Sequence, residues 1–416
     1  MKRAVVLSGG GSRGAYQIGV FKALKKLKID YDIITGTSVG ALNGALMVQG
    51  DFLKAKKLWQ NLNFGTVFDK NEVKNLSNNK DIYKMYAKKI LNGGGNPKEL
   101  DKTLRELIDE KMVMNSKINY GLVTVKFPSF KPVTLTKKDI PKGKLIDYLM
   151  ASATCFPAFQ LKEIDNSKFI DGGYYDNLPI NLAVSLGAEE IIAVDLKAIG
   201  NKRNYEDNLK VTYISPKNNL GSFLIFDSEI ACKNIKYGYN DTLKVYKKLD
   251  GDKYSFFKNQ LSFNYELYKD NYIMNANKMY QYSSNFKVFG KLLLNKKLKL
   301  IVDNKGNTLF NNSMEYLGTV FKLDDTKIYL TKTFNNKLLN ELNKTQVLDL
   351  KLVENLVKSK RVKDLLQTKM LIKYMYNKLG DNLSDKGTIK LLTLAEIFPK
   401  EFLGALYLKS IKYRLI

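Results

Sequence analysis

From Arg3 to Gln49 the chain reads as strand, glycine turn, helix, strand, glycine turn, helix, and that order limits the fold more than any other feature. Residues 3–8 (Arg-Ala-Val-Val-Leu-Ser) are a short apolar run of the kind that forms a buried strand. Gly9-Gly10-Gly11-Ser12-Arg13-Gly14 follows. In Ala15 to Lys28, Ile18, Phe21, Leu24 and Leu27 share one helical face, while Lys22, Lys25, Lys26 and Lys28 lie elsewhere. Tyr31 to Ile34 reads as a second strand running into Gly36-Thr37-Ser38-Val39-Gly40, and Ala41 to Gln49 as an apolar, buried helix. This alternation predicts an α/β fold built on a parallel sheet.

Further elements follow. Residues 52–115 have a helical pattern interrupted by Gly93-Gly94-Gly95-Asn96-Pro97. Buried strands are expected at 119–126 and 190–196, a further strand at 209–214, a short one at 168–170, and a helix at 227–248. Beyond residue 260 the texture changes to Lys, Asn, Leu and Tyr with few glycines. There, helical rhythm is predicted over 346–379 and short strands at 298–302 and 327–331. The aromatic residues between 254 and 289 alternate with lysines, a pattern that suits an accessory core with its lysines outside.

The chemistry lies in three short pieces and one absence. Gly36–Gly40 is a G-x-S-x-G box, which can hold a serine nucleophile on a sharp strand-to-helix turn, with Gly36 and Gly40 giving the room. The base beside such a serine is usually histidine, but the chain has none. A carboxylate is then the leading candidate base for Ser38. The glycine loop Gly9–Gly14 admits two uses: a dinucleotide pyrophosphate seat or an oxyanion hole. The first needs an acidic residue at the exit of the next strand, and Asp30 and Asp32 stand at its entry instead. A P-loop is disfavoured because Ala15-Tyr16 follows Gly14. If the strands at 3–8 and 31–35 are parallel neighbours, the loop lies beside Ser38. The third piece is Asp171-Gly172-Gly173, an acid delivered to a turn by Lys168-Phe169-Ile170, with two glycines allowing close backbone approach.

With these residues the chain resembles the patatin-like phospholipase family, whose elements are a G-G-G-x-[RK]-G loop, a G-x-S-x-G box and a D-G-[GA] box. All three stand here in that order. Ala151 to Phe159, Asp176-Asn177-Leu178-Pro179-Ile180, Gly187 to Asp195 and Gly238-Tyr239-Asn240-Asp241 add to the similarity, which covers roughly residues 3–250. The resemblance implies a patatin-like α/β sheet with helices on both faces over residues 1–250, its motifs within 3–196. A mostly helical accessory region of unknown role then spans 260–416. It implies that Ser38 is the nucleophile and Asp171 its proton acceptor. It also implies that the loop formed by Gly9, Gly10, Gly11, Ser12, Arg13 and Gly14 holds the oxyanion, with Gly172 and Gly173 shaping the second turn. Arg13 would meet a lipid phosphate or brace the loop, and bracing is preferred. The substrate class implied is fatty-acyl esters of phospholipids or related lipids, as for a phospholipase A, lysophospholipase or esterase. Cys155-Phe156-Pro157-Ala158-Phe159 would line an acyl channel or pack in the core.

Composition adds bounds. A net charge of +27 draws anionic partners and points to peripheral contact with an anionic membrane surface, with nucleic acid not expected. Two cysteines give no disulfide framework. The apolar run after Met1 breaks at Ser8 and is too short for a signal core, and no apolar run reaches the length of a membrane span, so the expectation is a cytoplasmic protein. No metal or cofactor is expected. The rival from another class is a catalytically silent nucleotide- or nucleic-acid-binding scaffold with a basic C-terminal half.

Overall fold

The computed structural model describes residues 1–68, 79–285, 293–362, 364–379 and 385–412. The chain divides into two compact units, Met1–Tyr246 and Lys247–Ile416.

The first unit holds an eight-stranded sheet. Its strands are β1 (Arg3–Leu7), β2 (Ile33–Thr37), β3 (Asn119–Phe127), β4 (Pro132–Thr136), β5 (Lys162–Ile164), β6 (Ser167–Asp171), β7 (Glu190–Val194) and β8 (Lys210–Ile214). The order is β5-β6-β3-β2-β1-β7-β8, with β4 also paired to β3. Strands β3, β2, β1, β7 and β8 run parallel, and β4, β5 and β6 are antiparallel additions. The helices are α1 (Ala15–Lys26), α2 (Val39–Gln49), α3 (Phe52–Gln60), α4 (Asn79–Leu91), α5 (Lys98–Leu107), α6 (Glu110–Asn115), α7 (Leu145–Ser152), α8 (Ile180–Ser185) and α9 (Ser228–Val245).

Strand alternation decides which helices cover which face. Val5, Leu7, Ile34, Leu122, Ile192 and Val194 point into the core shared with α1, α2 and α9. Their neighbours Ala4, Val6, Ile33, Ile191 and Ala193 point the other way, onto Leu178, Ile180 and Ala183 at α8. The sheet is therefore covered on both faces, as a parallel sheet requires. α1 and α9 pack together, and the Tyr16 hydroxyl donates to Asp241 at 3.0 Å inside their contact. That bond accounts for the Gly238–Asp241 segment picked out in the sequence.

One register detail positions the site. β2 pairs with Asn119–Val123 of β3, ending at Thr37 opposite Val123. β6 pairs with Thr124–Phe127 of the same strand, ending at Asp171 opposite Thr124. β4 pairs with Gly121–Val125 and so occupies the other edge of β3. Thus β2 and β6 share one edge of β3 and meet end to end, at adjacent residues.

The second unit is mainly helical: α10 (Gln260–Asn285), α11 (Leu293–Val302), α12 (Asn307–Val320), α13 (Thr331–Lys344), α14 (Leu350–Ser359), α15 (Leu365–Lys378), α16 (Asp385–Ile397) and α17 (Pro399–Lys412). A small sheet joins β9 (Leu249–Asp250), β10 (Ser255–Phe257) and β11 (Ile328–Tyr329). The strand expected at 298–302 is instead the end of α11. Leu294, Leu298 and Ile301 are buried on one helical face, a spacing of four and three that outweighs the β-prone run. The strand expected at 327–331 shrinks to Ile328–Tyr329, because Thr331 already opens α13. The tyrosines and phenylalanines do build a core: Tyr254, Phe256, Tyr265, Tyr268 and Tyr272 are buried, while Phe257 and Phe263 are exposed. Within it, Tyr407 donates to Asn335, Asn335 to Asn264, and Asn264 back to Tyr407, at 2.6, 2.9 and 3.1 Å. This closed ring satisfies groups whose burial would otherwise be costly.

Candidate active site

Ser38 stands between the end of β2 and the start of α2, with φ 57° and ψ −129°. A non-glycine residue reaches that conformation only when its surroundings hold it there. Here the Ser38 N–H donates to Ser152 Oγ at 2.9 Å, and the Ser152 hydroxyl donates to the Val123 carbonyl at 2.7 Å. The Ser38 carbonyl accepts from Ala41 N–H at 2.9 Å and starts the helix. At Gly40 a Cβ would run into the Leu7 and Ser8 carbonyls of the neighbouring strand end. Only glycine lets α2 start this close to β1.

Asp171 is the last residue of β6 and is only 7% exposed. Its carboxylate accepts the Gly173 N–H at 2.7 Å and lines the same cavity as Ser38. Its own N–H donates to the Thr154 carbonyl at 2.8 Å. Burial pushes its pKa up from 3.8 to about 6, while the nearby Ser38 side chain and the Gly173 N–H pull the other way. An aspartate so placed is ionised at neutral pH yet far more basic than an ordinary one. Gly172 follows because a Cβ there would collide with the Val123 carbonyl and the Thr37 methyl. The close meeting of β2 and β6 on the β3 edge leaves no room for it.

The loop after β1 lies beside Ser38, since β1 and β2 are parallel neighbours. A Cβ placed on Gly9 would sit 3.0 Å from Ser38 Cβ. The loop's amides divide sharply. Gly9 N–H donates to Asn177 O at 3.1 Å, Ser12 N–H to Phe223 O at 2.9 Å, and Arg13 N–H to Gly10 O at 3.2 Å. Among the described residues, the Gly10 and Gly11 N–H groups make no hydrogen bond. Both glycines line the cavity that contains Ser38 and Asp171. Of the six loop residues, Gly10 and Gly11 thus combine an unengaged amide with a place on the cavity wall, while the Gly9, Ser12 and Arg13 amides are committed elsewhere and Gly14 leads into α1. The Arg13 guanidinium donates to the Gly221 carbonyl at 2.8 Å and to Lys197 O at 3.4 Å, which braces the loop. Ser12 Oγ adds a bond to Ser222 O at 2.9 Å.

The cavity has a volume of about 520 Å³ and is mostly apolar, with Leu42, Leu58, Leu62, Val67, Phe159 and Phe223 in its wall. Of the Cys155–Phe159 segment, Cys155 and Phe159 reach the cavity, while the Phe156 ring packs on Phe127 at 5.4 Å. Burial pushes the Cys155 thiol up to about 12, with the Asp171 charge adding to the shift, so it is no nucleophile at neutral pH. Sequence reasoning missed Ser152, Asn177 and the 221–226 segment as parts of this site. Ser152 and Asn177 do lie in segments that carried the resemblance. The 221–226 segment has no local signal, because it is recruited only by the fold. No group of three or more Cys, Asp or Glu side chains suited to a metal ion occurs among the described residues.

Residues 5–184 match the sequence profile of the patatin-like phospholipases. This segment is a patatin-like phospholipase domain. Human patatin-like phospholipase domain-containing protein 6 is 27% identical over 202 residues, covering 46% of this chain and 13% of that protein. Lysophospholipase nte1 of Aspergillus terreus is 29% identical over 222 residues, covering 49% of this chain and 13% of its own. The chain thus spans only a small part of the length of these relatives. The crystal structure of VipD from Legionella pneumophila superposes with a TM-score of 0.39 and 14% identity, over 98% of this chain and 90% of that one. Ser38 and Asp171 both fall inside the patatin-like segment, whereas the second unit lies outside it. No described helix is long and apolar enough to cross a membrane.

Proposed function

We propose that the patatin-like unit is a serine acyl hydrolase acting on fatty-acyl esters of phospholipids or related lipids through a Ser38–Asp171 pair. The observation that carries this reading is that Ser38 and a buried Asp171, whose pKa is raised to about 6, line one apolar cavity together with two unengaged amides. The names of the relatives, a phospholipase domain-containing protein and a lysophospholipase, favour the same substrate class.

Ser38 Oγ attacks the ester carbonyl carbon as Asp171 takes the hydroxyl proton. The carbonyl oxygen becomes an oxyanion received by Gly10 and Gly11 N–H. Each such donor contributes roughly 3–4 kcal/mol of barrier reduction. The intermediate collapses, and the leaving alcohol takes the proton from Asp171, leaving an acyl ester on Ser38. Water, deprotonated by Asp171, then attacks this ester. Collapse releases the fatty acid and returns the proton to Ser38. The acyl chain lies along Leu42, Leu58, Leu62 and Phe159, where burial of each methylene contributes about 0.8 kcal/mol.

The test is hydrolysis of a panel of phospholipids, lysophospholipids, acylglycerols and acyl thioesters, followed by mass spectrometry. Wild type should release fatty acid, and Ser38→Ala and Asp171→Asn should not. Undiminished release by Ser38→Ala would end the proposal, as would failure of a fluorophosphonate to label folded wild type at Ser38.

A further inference from the structure

The entrance to the Ser38 cavity combines exposed apolar side chains with basic loops. Ile199, on the loop after β7, lines the cavity yet is 92% exposed, more than any other large apolar residue described. Tyr174 also lines it and is 42% exposed. Phe130, in the turn between β3 and β4, is 55% exposed and meets the Tyr174 ring edge-on at 6.3 Å. These rings are firmly mounted. Phe127 stands 5.8 Å behind Phe130, and the Tyr174 hydroxyl donates to the Phe156 carbonyl. Large apolar groups gathered in water around an apolar opening mark a contact surface.

The same two loops are basic. Residues 126–131 carry Lys126 and Lys131, residues 197–203 carry Lys197, Lys202 and Arg203, and neither stretch contains an acid. Lys197 Nζ donates to the Pro216 carbonyl and Lys202 pairs with Asp195 at 2.6 Å. The Arg203 guanidinium lies over the Tyr175 ring at 4.7 Å. Asn201, Lys202 and Arg203 form an open recess with Tyr174 and Tyr175, next to the first cavity. This loop is tied to the turn after Asp171. Asn201 N–H donates to Gly173 O at 2.9 Å, its side-chain amide to Tyr174 O at 2.6 Å, and its carbonyl accepts from Asn177 N–H.

We propose that this rim is a docking surface for an anionic phospholipid bilayer, an inference that rests on the reading of Ser38 as the nucleophile. Ile199, Tyr174 and Phe130 enter the boundary between headgroups and acyl chains, and Lys131 and Arg203 meet lipid phosphates. An acyl chain then passes from the leaflet into the cavity without crossing water. An acidic protein would satisfy the charges but not this continuity of apolar surface from rim to cavity.

The test uses the full chain carrying Ser38→Ala, so that binding is read without turnover. It is sedimented with vesicles of phosphatidylcholine alone or with about 30% phosphatidylserine. Binding should be at least about tenfold tighter on the anionic vesicles. Adding Phe130→Ser, or Lys131→Glu with Arg203→Glu, should each weaken anionic-vesicle binding about tenfold. With Ser38 restored, the same changes should leave hydrolysis of a short-chain soluble ester within about twofold. Equal binding to both vesicle types, or rim variants that bind as tightly as their parent, would overturn the proposal. Binding that is lost only together with soluble-ester turnover in every rim variant would also overturn it. Failure of the nucleophile reading looks different: Ser38→Ala would keep soluble-ester turnover, whatever the vesicles show.

Discussion

Replacing Asp171 by asparagine should abolish hydrolysis and, at neutral pH and above, make the first unit more stable. The carboxylate is buried, and its pKa rises from 3.8 to about 6 in the folded chain. Between those values the folded state keeps a proton that the unfolded chain has lost. Stability therefore falls as pH rises through this window and levels off above about 6. A shift of roughly two pKa units corresponds to about 3 kcal/mol, the cost of holding the charge at pH 8. The asparagine amide cannot ionise, so this cost disappears. The Gly173 N–H still finds an amide oxygen, while the new NH2 group meets Ser38 imperfectly, at a pH-independent loss of about 1 kcal/mol. Near pH 4 the variant should match wild type or fall slightly below it. Near pH 8 it should be about 2 kcal/mol more stable, some 4–8 °C in melting temperature for a unit of this size. Differential scanning calorimetry across this range, following the transition of the first unit, reads the difference directly. A melting difference that does not change with pH would show that Asp171 is not desolvated in the way described. A wild type that gains stability above pH 6 relative to the variant would reverse the sign and refute the argument outright.

Other consequences can be checked singly. The kcat/KM of ester hydrolysis should rise as pH increases through about 6 and then level off, since Asp171 acts as base only when ionised; a pH–rate profile that is flat from about 5 to 8 would contradict it. Ser38→Ala, Asp171→Asn and the double variant should lose activity to nearly the same residual rate, because the proposed mechanism uses the two side chains as one unit; additive losses would separate them. Ser152→Ala should cost about 1–3 kcal/mol in denaturant unfolding by orphaning the Ser38 N–H, and lower kcat more than it raises KM; wild-type kcat would show that Ser38 needs no such peg. Cys155 should resist iodoacetamide in the folded protein at pH 8, and rapid alkylation there would disprove its raised pKa.

Much of the candidate site is local and was readable from the chain alone. Gly9–Gly14, Gly36–Gly40 and Asp171–Gly173 are each a turn whose shape depends on its own few residues, so glycine spacing after a strand announces it. The covered sheet was equally legible, because the runs 4–7 and 191–194 are apolar at every position and need helices on both sides. The strand expected at 298–302 misled because β-prone residues in a five-residue window also fit one face of α11, and only the longer packing pattern separates the two.

Primary structure settled which groups were on offer: a serine on a tight turn, an acid before two glycines, and no histidine to come between them. Their meeting was decided by β3, whose single edge receives β2 up to Val123 and β6 from Thr124 onward. Hydrogen-bond register between strands far apart in sequence leaves no local trace, and neither does the desolvation that lifts Asp171 to about 6. Both arise only when the surrounding chain has closed over the pair and excluded water.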